Sequence, residues 1–268
     1  MKLSIIIVNF NTRPLTGLLM ESLLKQALPH TTEILVVDNA SSDRSVSFLR
    51  SDFPEIEVIA HENNLGLAAG VNSAIKRARG KYYLILNPDM IALPGSVQAL
   101  TDFMDENSEV GIVGGKLIHP NGKLQYSSFR FYRPVTVLFR RTFLGRTGPG
   151  KREVDRFLMK DVDHTQIQEV DWLMGACLMV RAGAVDEVGG MDDRFFLYFE
   201  DVDWCRRMWE AGWKVMFVPK AVFSHFYQKS SQRGSVWGWI KNRAAREHIK
   251  SAIKYFWKFR GRPAPVRG

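Results

Sequence analysis

Residues 4–11 read Ser-Ile-Ile-Ile-Val-Asn-Phe-Asn, a short β-branched run that ends in polar side chains. β-branched residues favour strands, and asparagines favour the turn that follows. Pro14 then opens a pattern of leucines at helical spacing, and proline is well tolerated in the first turn of a helix. This stretch predicts a strand, a loop and a helix, in that order.

The same alternation recurs along the first third of the chain. Three further apolar runs occupy residues 34–37, 57–60 and 82–86. Each run leads into polar residues, and a helical pattern from Leu67 to Ala78 separates the last two. Strands that alternate with helices in this way predict an α/β fold with a mostly parallel central sheet flanked by helices.

Polar side chains follow the predicted strands at the point where each strand ends. In open parallel sheets, ligands bind in the crevice beyond the carboxyl ends of the strands. The residues at these ends are Asn9, Asp38, Asn64, Asn87 and Asp89. The sequence therefore predicts a binding crevice at this edge of the sheet.

The second half of the chain is less regular. Residues 130–160 are aromatic, basic and contain glycine, which favours a mobile loop or an insertion over the site. Order returns with an apolar run from Trp172 to Val180, a predicted helix from Glu200 to Ala211, a strand from Lys214 to Val218 and a basic helical tail at 235–259.

Composition narrows the class of protein. Of the 268 residues 46% are hydrophobic, so the chain can bury a substantial core. The formal net charge of +9 indicates an anionic partner. The two cysteines are too few for a disulfide framework, which favours a reducing, cytosolic setting. The apolar runs are shorter than the roughly 20 residues of a membrane span, so we expect neither a signal peptide nor a transmembrane segment.

Two positions suit a metal ion. Asp89 ends the segment Asn87-Pro88-Asp89, where a carboxylate can hold a hard divalent cation, although the same segment is an ordinary turn sequence. His225 follows a strand-like run and can complete the site, because neutral imidazole is a common ligand. A purely structural histidine is the alternative.

Three carboxylates, Glu200, Asp201 and Asp203, open a predicted helix. The helix dipole favours acids at such a position, so capping is one interpretation. They also follow the aromatic segment 195–199, and a carboxylate beside apolar surface can hold the raised pKa that a general base needs. This setting favours a catalytic function.

The segment from Asn64 to Gly70 enters a helix with small residues. Its backbone can approach a phosphate closely, although an N-cap by Asn64 is the alternative. The segment lacks the glycine order of a dinucleotide-binding loop and the terminal motif of a P-loop, which argues against dehydrogenases and NTPases.

The C-terminal segment combines lysines and arginines with Trp237, Trp239, Ile249, Ile253 and Trp257. A basic helix with aromatic anchors suits an anionic lipid surface. Packing on the core with a solvated lysine face is the alternative. No nucleic-acid-reading pattern accompanies the charge, so we expect no nucleic-acid partner.

Taken together, these motifs resemble those of the family 2 glycosyltransferases, most nearly the bacterial rhamnosyltransferase-type members. The resemblance extends from the first strand to about His225 and is carried by segments 4–11, 36–43, 64–70, 87–89, 172–181 and 195–206. It implies a GT-A type nucleotide-sugar-binding fold. A donor half at about 1–115 and an acceptor half at about 116–230 would precede a basic amphipathic C-terminal helix and tail at 231–268.

The resemblance implies particular roles at the donor site. Asp38 is expected to hydrogen-bond a pyrimidine base, with Asn9 and Phe10 near the nucleoside. Asn64 and Gly66 are expected beside the ribose and the diphosphate.

The resemblance also implies a divalent metal, Mg²⁺ or Mn²⁺. Asp89 matches the metal carboxylate of the family's D-x-D motif, and His225 matches a further ligand of some relatives. Asn87 departs from the motif, because an amide adds no charge to the cation. Ser230 and Ser231 are expected to contact the diphosphate.

On the acceptor side, Glu200-Asp201 matches the family's base motif. Asp201 is expected to take the acceptor's hydroxyl proton as the oxygen attacks the anomeric carbon opposite the leaving group, which inverts the configuration. Trp172, Gly175 and Ala176 are expected to line the sugar and acceptor pocket, with residues 175–177 as a strand.

The resemblance further implies a dTDP-sugar or UDP-sugar donor, with dTDP-rhamnose as the first choice. The expected acceptor is a glycan or lipid-linked glycan in cell-wall or polysaccharide biosynthesis, at the inner face of the cell membrane. One rival hypothesis is a sugar-nucleotide nucleotidyltransferase, but such enzymes have a glycine-rich first loop, which residues 9–14 do not match. The other is a non-catalytic carbohydrate-binding or scaffold relative, for which Asn87 would mark lost activity.

Overall fold

The computed structural model describes residues 2–226 and 243–265. The predicted diphosphate contacts at Ser230 and Ser231, and the anchors Trp237 and Trp239, lie outside these ranges. The strands are β1 (Leu3–Asn9), β2 (Thr32–Asp38), β3 (Glu57–Ala60), β4 (Tyr82–Leu86), β5 (Met90–Ala92), β6 (Val110–Ile118), β7 (Leu124–Gln125), β8 (Ser128–Phe129), β9 (Gln168–Glu169), β10 (Trp172–Leu173), β11 (Cys177–Arg181) and β12 (Lys214–His225). The helices are α1 (Arg13–Leu24), α2 (Ser45–Asp52), α3 (Leu67–Ile75), α4 (Ser96–Glu106), α5 (Pro134–Arg141), α6 (Gly148–Phe157), α7 (Ala182–Val188), α8 (Glu200–Glu210) and α9 (Arg243–Lys258), with a 3₁₀ turn at Phe143–Arg146.

One large sheet forms the centre of the fold, with strand order β3-β2-β1-β4-β11-β6-β12-β5. β7 pairs with β6 and β9 with β12 at its margins. β1, β2, β3 and β4 are parallel, as are β6 and β12, whereas β11 runs antiparallel to both β4 and β6. The predicted α/β fold with a mostly parallel sheet is confirmed.

β1 shows why the sheet needs helices on both faces. Its seven residues are all buried, and alternate side chains point to opposite faces. Ile6 and Val8 join the core on one face, with residues of α3, while Leu3, Ile5 and Ile7 join the other, with residues of α1 and α4. The continuous apolar run is thus typical of a strand covered on both sides.

The apolar run at 172–180 is broken in the structure. β10 pairs with β8, whereas β11 begins at Cys177 and pairs with β4. The expectation that residues 175–177 form a strand was therefore wrong for Gly175 and Ala176. The Gly175 N–H donates to the Asp201 carboxylate rather than to a neighbouring strand, which turns the chain into the site.

Residues 134–157 form two helices joined by a 3₁₀ turn, where a mobile loop or an insertion was expected, and we call this segment the helical hairpin. It consists of α5, the 3₁₀ turn and α6. Glu153 on α6 accepts a hydrogen bond from Thr136 and forms ion pairs with Arg133 and Arg156 at 3.2 and 2.7 Å. These bonds hold the two helices together, and they outweigh partial burial to lower the pKa of Glu153.

α9 packs on the core along one side. Tyr255 and Phe259 are buried, and the Arg206 guanidinium of α8 lies 4.0 Å from the Phe259 ring centroid. The Lys258 ammonium donates to Asp192 and Asp203 at 2.7 and 2.5 Å. Packing on the core, one of the two alternatives for this segment, is present, and the opposite side of α9 exposes an apolar stripe made by Ile249, Ile253 and Trp257. Among the described helices, none is long and apolar enough to span a bilayer.

Candidate active site

A cavity of about 1360 Å³ lies at the carboxyl edge of the parallel strands. Its walls come from the loops after β1, β3 and β4, the start of α8, the helical hairpin and α9. A typical small-ligand pocket occupies roughly 300–1,000 Å³. The cavity is therefore large enough for more than one small ligand at once.

Asn9 and Asp38 lie just behind the cavity wall formed by the residues that follow β1 and β2. The Asn9 amide donates to Asp38 at 2.7 Å and accepts from the hydroxyls of Thr12 and Thr16 at 2.6 and 2.8 Å. The second Asp38 oxygen accepts from the Ser41 N–H at 2.8 Å, and Asp38 is only 1% exposed. In this arrangement the pair braces the loops after β1 and β2, and a direct contact with a base stays a prediction.

Phe10 and Asn39 form the surface in front of that pair. Phe10 lines the cavity with 46% of its surface exposed, as a flat ring available to a nucleobase. Asn39, which sequence reasoning did not select, lines the same wall and donates to the Gly66 carbonyl at 3.0 Å. The position of Asn39 directly after Asp38, at the end of a predicted strand, could have identified it as a residue of the crevice.

The loop from Asn64 to Gly66 is held against the acidic motif. Asn64 accepts from the Gly66 N–H at 2.9 Å, and the helix cap is Gly66, so the N-cap interpretation of Asn64 was wrong. Gly66 has φ of +87°, and a Cβ there would lie 2.4 Å from the Phe196 carbonyl oxygen. Only glycine fits, because the loop after β3 touches the segment that leads into α8.

The structure brings Asp89 and His225 together. The His225 Nε2 lies 3.3 Å from an Asp89 oxygen, and β12 pairs with β5 so that His225 is opposite Met90. The Gln125 amide lies 3.0 Å from the His225 Nδ1, which leaves Nε2 directed at Asp89. The Asn87 N–H donates to the Ala176 carbonyl, which fixes the turn that carries Asp89.

This pair suits a divalent cation that also takes ligands from a substrate. It offers one carboxylate and one imidazole, and His225 is 3% exposed. Within the described residues, no third acidic, histidine or cysteine side chain completes a cluster. A Mg²⁺-type ion commonly binds through one or two protein groups, with phosphate oxygens and water in its remaining positions.

The acidic pair at the start of α8 faces the same cavity. Tyr198 and Phe199 precede it in left-handed backbone conformation, both with φ of 69°. Such strain in non-glycine residues is characteristic of functional sites. The Asp201 carboxylate accepts from the Gly175 and Val202 N–H groups at 2.9 and 2.8 Å. Strained backbone and fixed hydrogen bonds together hold Asp201 at the cavity wall.

Burial raises the pKa values of Glu200 and Asp201 above those of ordinary carboxyl groups. Desolvation raises the pKa of Asp201 to about 6, against the lowering effect of its backbone hydrogen bonds. Desolvation, reinforced by the charge of Asp201, raises the pKa of Glu200 well above its ordinary value. One Glu200 oxygen is buried without a hydrogen-bond partner among the described residues. Asp201, whose carboxylate accepts two backbone hydrogen bonds, is therefore the better placed of the two to act as a base.

Asp203 has a structural role. It is fully buried and pairs with Arg207 at 2.7 Å and with Lys258 at 2.5 Å. These ion pairs lie away from the cavity lining and tie α9 to α8.

The predicted acceptor residues occupy the wall beside Asp201. Gly175 and Ala176 line the cavity as an irregular turn. Trp172 also lines it but is 5% exposed, and its ring stacks on Phe129 at 4.4 Å between centroids. Trp172 is thus part of an aromatic cluster, and a stacking contact between its ring and a sugar stays a prediction.

Sequence reasoning missed the far wall of the cavity. Tyr132, Arg140, Arg141 and Arg146 come from the helical hairpin and its approach, and His248 comes from α9. The basic and aromatic composition of residues 130–160 was visible in the sequence. Its position opposite Asp201 depends on packing between segments far apart in the chain.

Comparisons with known proteins agree with this geometry. The family model described as Glycosyl transferase family 2 matches residues 4–189. An N-acetylglucosaminyl-diphospho-decaprenol L-rhamnosyltransferase of Mycobacterium tuberculosis is 29% identical over 224 residues, which is 78% of this chain and 71% of the relative. The rhamnosyltransferase WbbL of Escherichia coli is 26% identical, over 73% of this chain and 68% of the relative.

Solved structures share the fold. A mannosyltransferase from Pyrobaculum calidifontis, solved with GDP-Man and Mn²⁺, superposes with a TM-score of 0.60 at 17% identity. The match covers 94% of this chain and 64% of that one. The predicted GT-A type fold is confirmed, and at least one protein with this fold binds a nucleotide sugar together with a divalent metal.

Proposed function

The chain belongs to glycosyl transferase family 2, and from this membership we propose that it moves a hexose from a nucleoside diphosphate sugar to a hydroxyl group of a glycan or lipid-linked glycan, inverting the anomeric carbon. The observation that carries the proposal is one cavity lined by Asp201, with its raised pKa, and by the Asp89–His225 pair. A base and a metal-binding pair in one cavity suit displacement of a diphosphate.

Asp201 is the proposed general base. Its carboxylate accepts the proton of the acceptor hydroxyl as that oxygen bonds to the anomeric carbon. The bond from that carbon to the diphosphate oxygen breaks, and the nucleoside diphosphate leaves with the electron pair. The N–H groups of Gly175 and Val202 orient the base. The raised pKa of Glu200 disfavours a second negative charge beside the base.

Asp89 and His225 are the proposed metal-binding residues. The residues fit Mg²⁺ or Mn²⁺, and when bound such an ion supplies positive charge that offsets the charge on the departing diphosphate. Gln125 orients the imidazole. Asn87, at the edge of the same turn, can hydrogen-bond the ribose.

The proposed donor is a dTDP-sugar, first dTDP-rhamnose, with UDP-sugars second. The two relatives above are rhamnosyltransferases by name, and one of them acts on a sugar carried by a diphospho-lipid. Phe10 offers a surface for a pyrimidine, with Asn64 and Gly66 beside the phosphates. The exposed stripe of α9 and its flanking lysines support peripheral binding to an anionic membrane surface, at the cytoplasmic face, in cell-wall or polysaccharide biosynthesis.

Nucleotide binding tests the donor half of the proposal. Thermal melting is measured with dTDP, UDP and GDP, each with and without Mn²⁺ or Mg²⁺, because a ligand at a hundredfold excess over its Kd adds about 2.7 kcal/mol to stability. A metal-dependent rise in Tm with a pyrimidine diphosphate, lost in Asp89→Ala and kept in Asp193→Ala, is the expected result. Asp193 is an exposed aspartate away from the cavity lining. No rise with any diphosphate would overturn the transferase assignment.

A further inference from the structure

The helical hairpin brings arginines to the far wall of the cavity. Arg140, Arg141 and Arg146 all line it. Arg140 donates to the Tyr132 hydroxyl at 2.7 Å and lies 4.6 Å from the Phe157 ring centroid. Among the described residues, no carboxylate lies within ion-pair distance of Arg140 or Arg146, whereas Arg133 and Arg156 both pair with Glu153.

The Tyr132 side chain lies between these arginines and the proposed base Asp201. Asp201 and the arginines Arg140 and Arg141 all influence the pKa of Tyr132, which burial raises. The Tyr132 ring also lies 4.8 Å from the ring of Phe199, the residue that precedes the acidic pair. Because Asp201 and these arginines line one cavity, an acceptor whose hydroxyl reaches Asp201 can extend toward the arginines.

A buried histidine faces the same wall. His248 of α9 is 9% exposed and lines the cavity, and its Nδ1 has no hydrogen-bond partner among the described residues. Burial, together with the charges of Arg141 and Arg140, lowers its pKa to about 3, so the ring is neutral. Glu247, the acid that lines this side of the cavity, pairs with Lys250 at 3.0 Å. The wall thus combines Arg140 and Arg146, which form no ion pair among the described residues, with an imidazole nitrogen that has no hydrogen-bond partner there.

We propose that Arg140, Arg141, Arg146 and His248 form a subsite for a diphosphate group on the acceptor, placed about one sugar away from the hydroxyl that reacts. This inference rests on the proposed glycosyltransferase function and gives its acceptor a chemical class. Guanidinium groups bind phosphate oxygens through paired hydrogen bonds, and a neutral imidazole N–H adds another donor.

Exposed apolar side chains of the helical hairpin indicate the source of that diphosphate. Val135, Leu138 and Phe143 are 47%, 51% and 76% exposed. Apolar side chains beside a cationic wall suit a lipid tail that continues from the diphosphate. The subsite therefore fits a lipid-linked sugar better than a soluble phosphorylated glycan.

Farnesyl diphosphate, inorganic pyrophosphate and farnesol are the probes that test the subsite. Binding is measured by calorimetry in EDTA, so that no divalent cation draws a diphosphate to Asp89. The variant carries Arg140→Gln with Arg146→Gln. The control carries Arg50→Gln with Arg152→Gln, which removes the same charge from exposed helix positions away from the cavity.

Farnesyl diphosphate is expected to bind at least about tenfold more weakly to the variant than to the control, since each lost charge-assisted hydrogen bond is worth about a factor of ten. Equal affinity in variant and control overturns the subsite. Tighter binding of farnesyl diphosphate than of pyrophosphate supports the lipid-linked source, and equal binding of the two overturns that part and assigns a soluble phosphorylated acceptor.

Two checks keep the result interpretable. Arg146→Gln alone, at an exposed position without a described partner, tests the subsite if the double variant melts below the assay temperature. The metal-dependent nucleotide shift of the unmodified protein tests the proposed function separately. A protein that shows this shift but loses no farnesyl diphosphate affinity in the variant disproves the subsite alone.

Discussion

At the scale of single residues, the Asp201 carboxylate combines a raised pKa with two backbone hydrogen bonds. The base must be deprotonated to accept a proton, and its pKa lies at about 6. We expect kcat/KM to rise about tenfold per pH unit below pH 6 and to level off above it. Initial rates between pH 5 and 8 measure this, and a flat profile would contradict the assignment.

Removal of that carboxylate separates activity from stability. Asp201→Asn should lower kcat about 10²- to 10⁴-fold, because proton transfer is lost. The folded pKa of about 6 exceeds the ordinary 3.8, so the charged carboxylate destabilises the fold as pH rises through this interval. The variant should therefore melt about 2–4 °C above the unmodified protein at pH 7.5, with a smaller difference at pH 4.5. A lower Tm at pH 7.5 would show that the hydrogen bonds outweigh the desolvation.

Gln125 offers a test of the metal-binding pair that leaves both proposed ligands in place. Its amide holds the His225 Nδ1 at 3.0 Å. Gln125→Ala should weaken Mn²⁺ binding about 10- to 100-fold, as for other groups that orient a metal-binding histidine. Titration of Mn²⁺ against the nucleotide-dependent Tm measures it, with Gln98→Ala on the surface of α4 as control. Unchanged Mn²⁺ affinity would place the metal elsewhere.

Single residues also show what sequence could reveal about the site. Asp89, His225, Glu200 and Asp201 were selected from residue type and position, and all four line the cavity. Asp38 was selected in the same way but lies behind the wall, because Asn9 and Ser41 take up its oxygens. Motif position predicts which part of the fold a residue occupies, whereas its exposure depends on the neighbours that fill its hydrogen bonds.

At the scale of elements, the loop after β3 and the segment leading into α8 meet at Gly66. The Leu67 N–H donates to the Phe196 carbonyl at 3.1 Å, so the proposed donor loop and the segment that carries the proposed base share a contact. The strands and helix starts of the first half of the chain could be predicted from the sequence because they depend on residues close together in the chain. For the helical hairpin the sequence predicted only a loop or an insertion, since its helices are held together by Glu153, which pairs with residues near both ends of the segment.

Gly66→Ala should disturb both loops. The new Cβ meets the Phe196 carbonyl, and the φ of +87° is strained for alanine. We expect a loss of about 2–4 kcal/mol from strain and overpacking together. The control is Gly95→Ala, where φ is +77° but no atom lies near the added Cβ, and a loss of about 1 kcal/mol is expected. Urea unfolding measures both, and equal losses would show that the Phe196 contact is soft.

At the scale of the whole molecule, α9 presents Ile249, Ile253 and Trp257 to solvent on the side opposite the core. Basic side chains flank them, including Lys250 and Lys254. Packing on the core and binding to a lipid surface are thus compatible interpretations of this helix, because one face packs on the core and the other is exposed. The sequence alone could not show which side chains of α9 are buried and which are exposed, since that depends on which side of α9 packs against α8.

Membrane binding through this face is measurable with vesicles. Ile253→Ser with Trp257→Ser should weaken co-sedimentation with vesicles of about 30% anionic lipid roughly tenfold, because interfacial binding scales with buried apolar area. Added salt should weaken it further, since each basic side chain near the surface contributes about 1 kcal/mol. Leu24→Ser, exposed at the end of α1, is the control. Equal binding to neutral vesicles would contradict the electrostatic part.

The antiparallel strand β11 has a consequence for the order in which the chain folds. It lies between β4 and β6, so residues 177–181 separate strands that precede it in the chain. During synthesis, the apolar β4 has an open edge until β11 emerges, and such edges invite association with other chains. The first 115 residues therefore cannot complete their own sheet. Completion of the cavity must wait for residues 175–181, which bring Gly175 and Ala176 to its wall, so the two halves of the chain mature together.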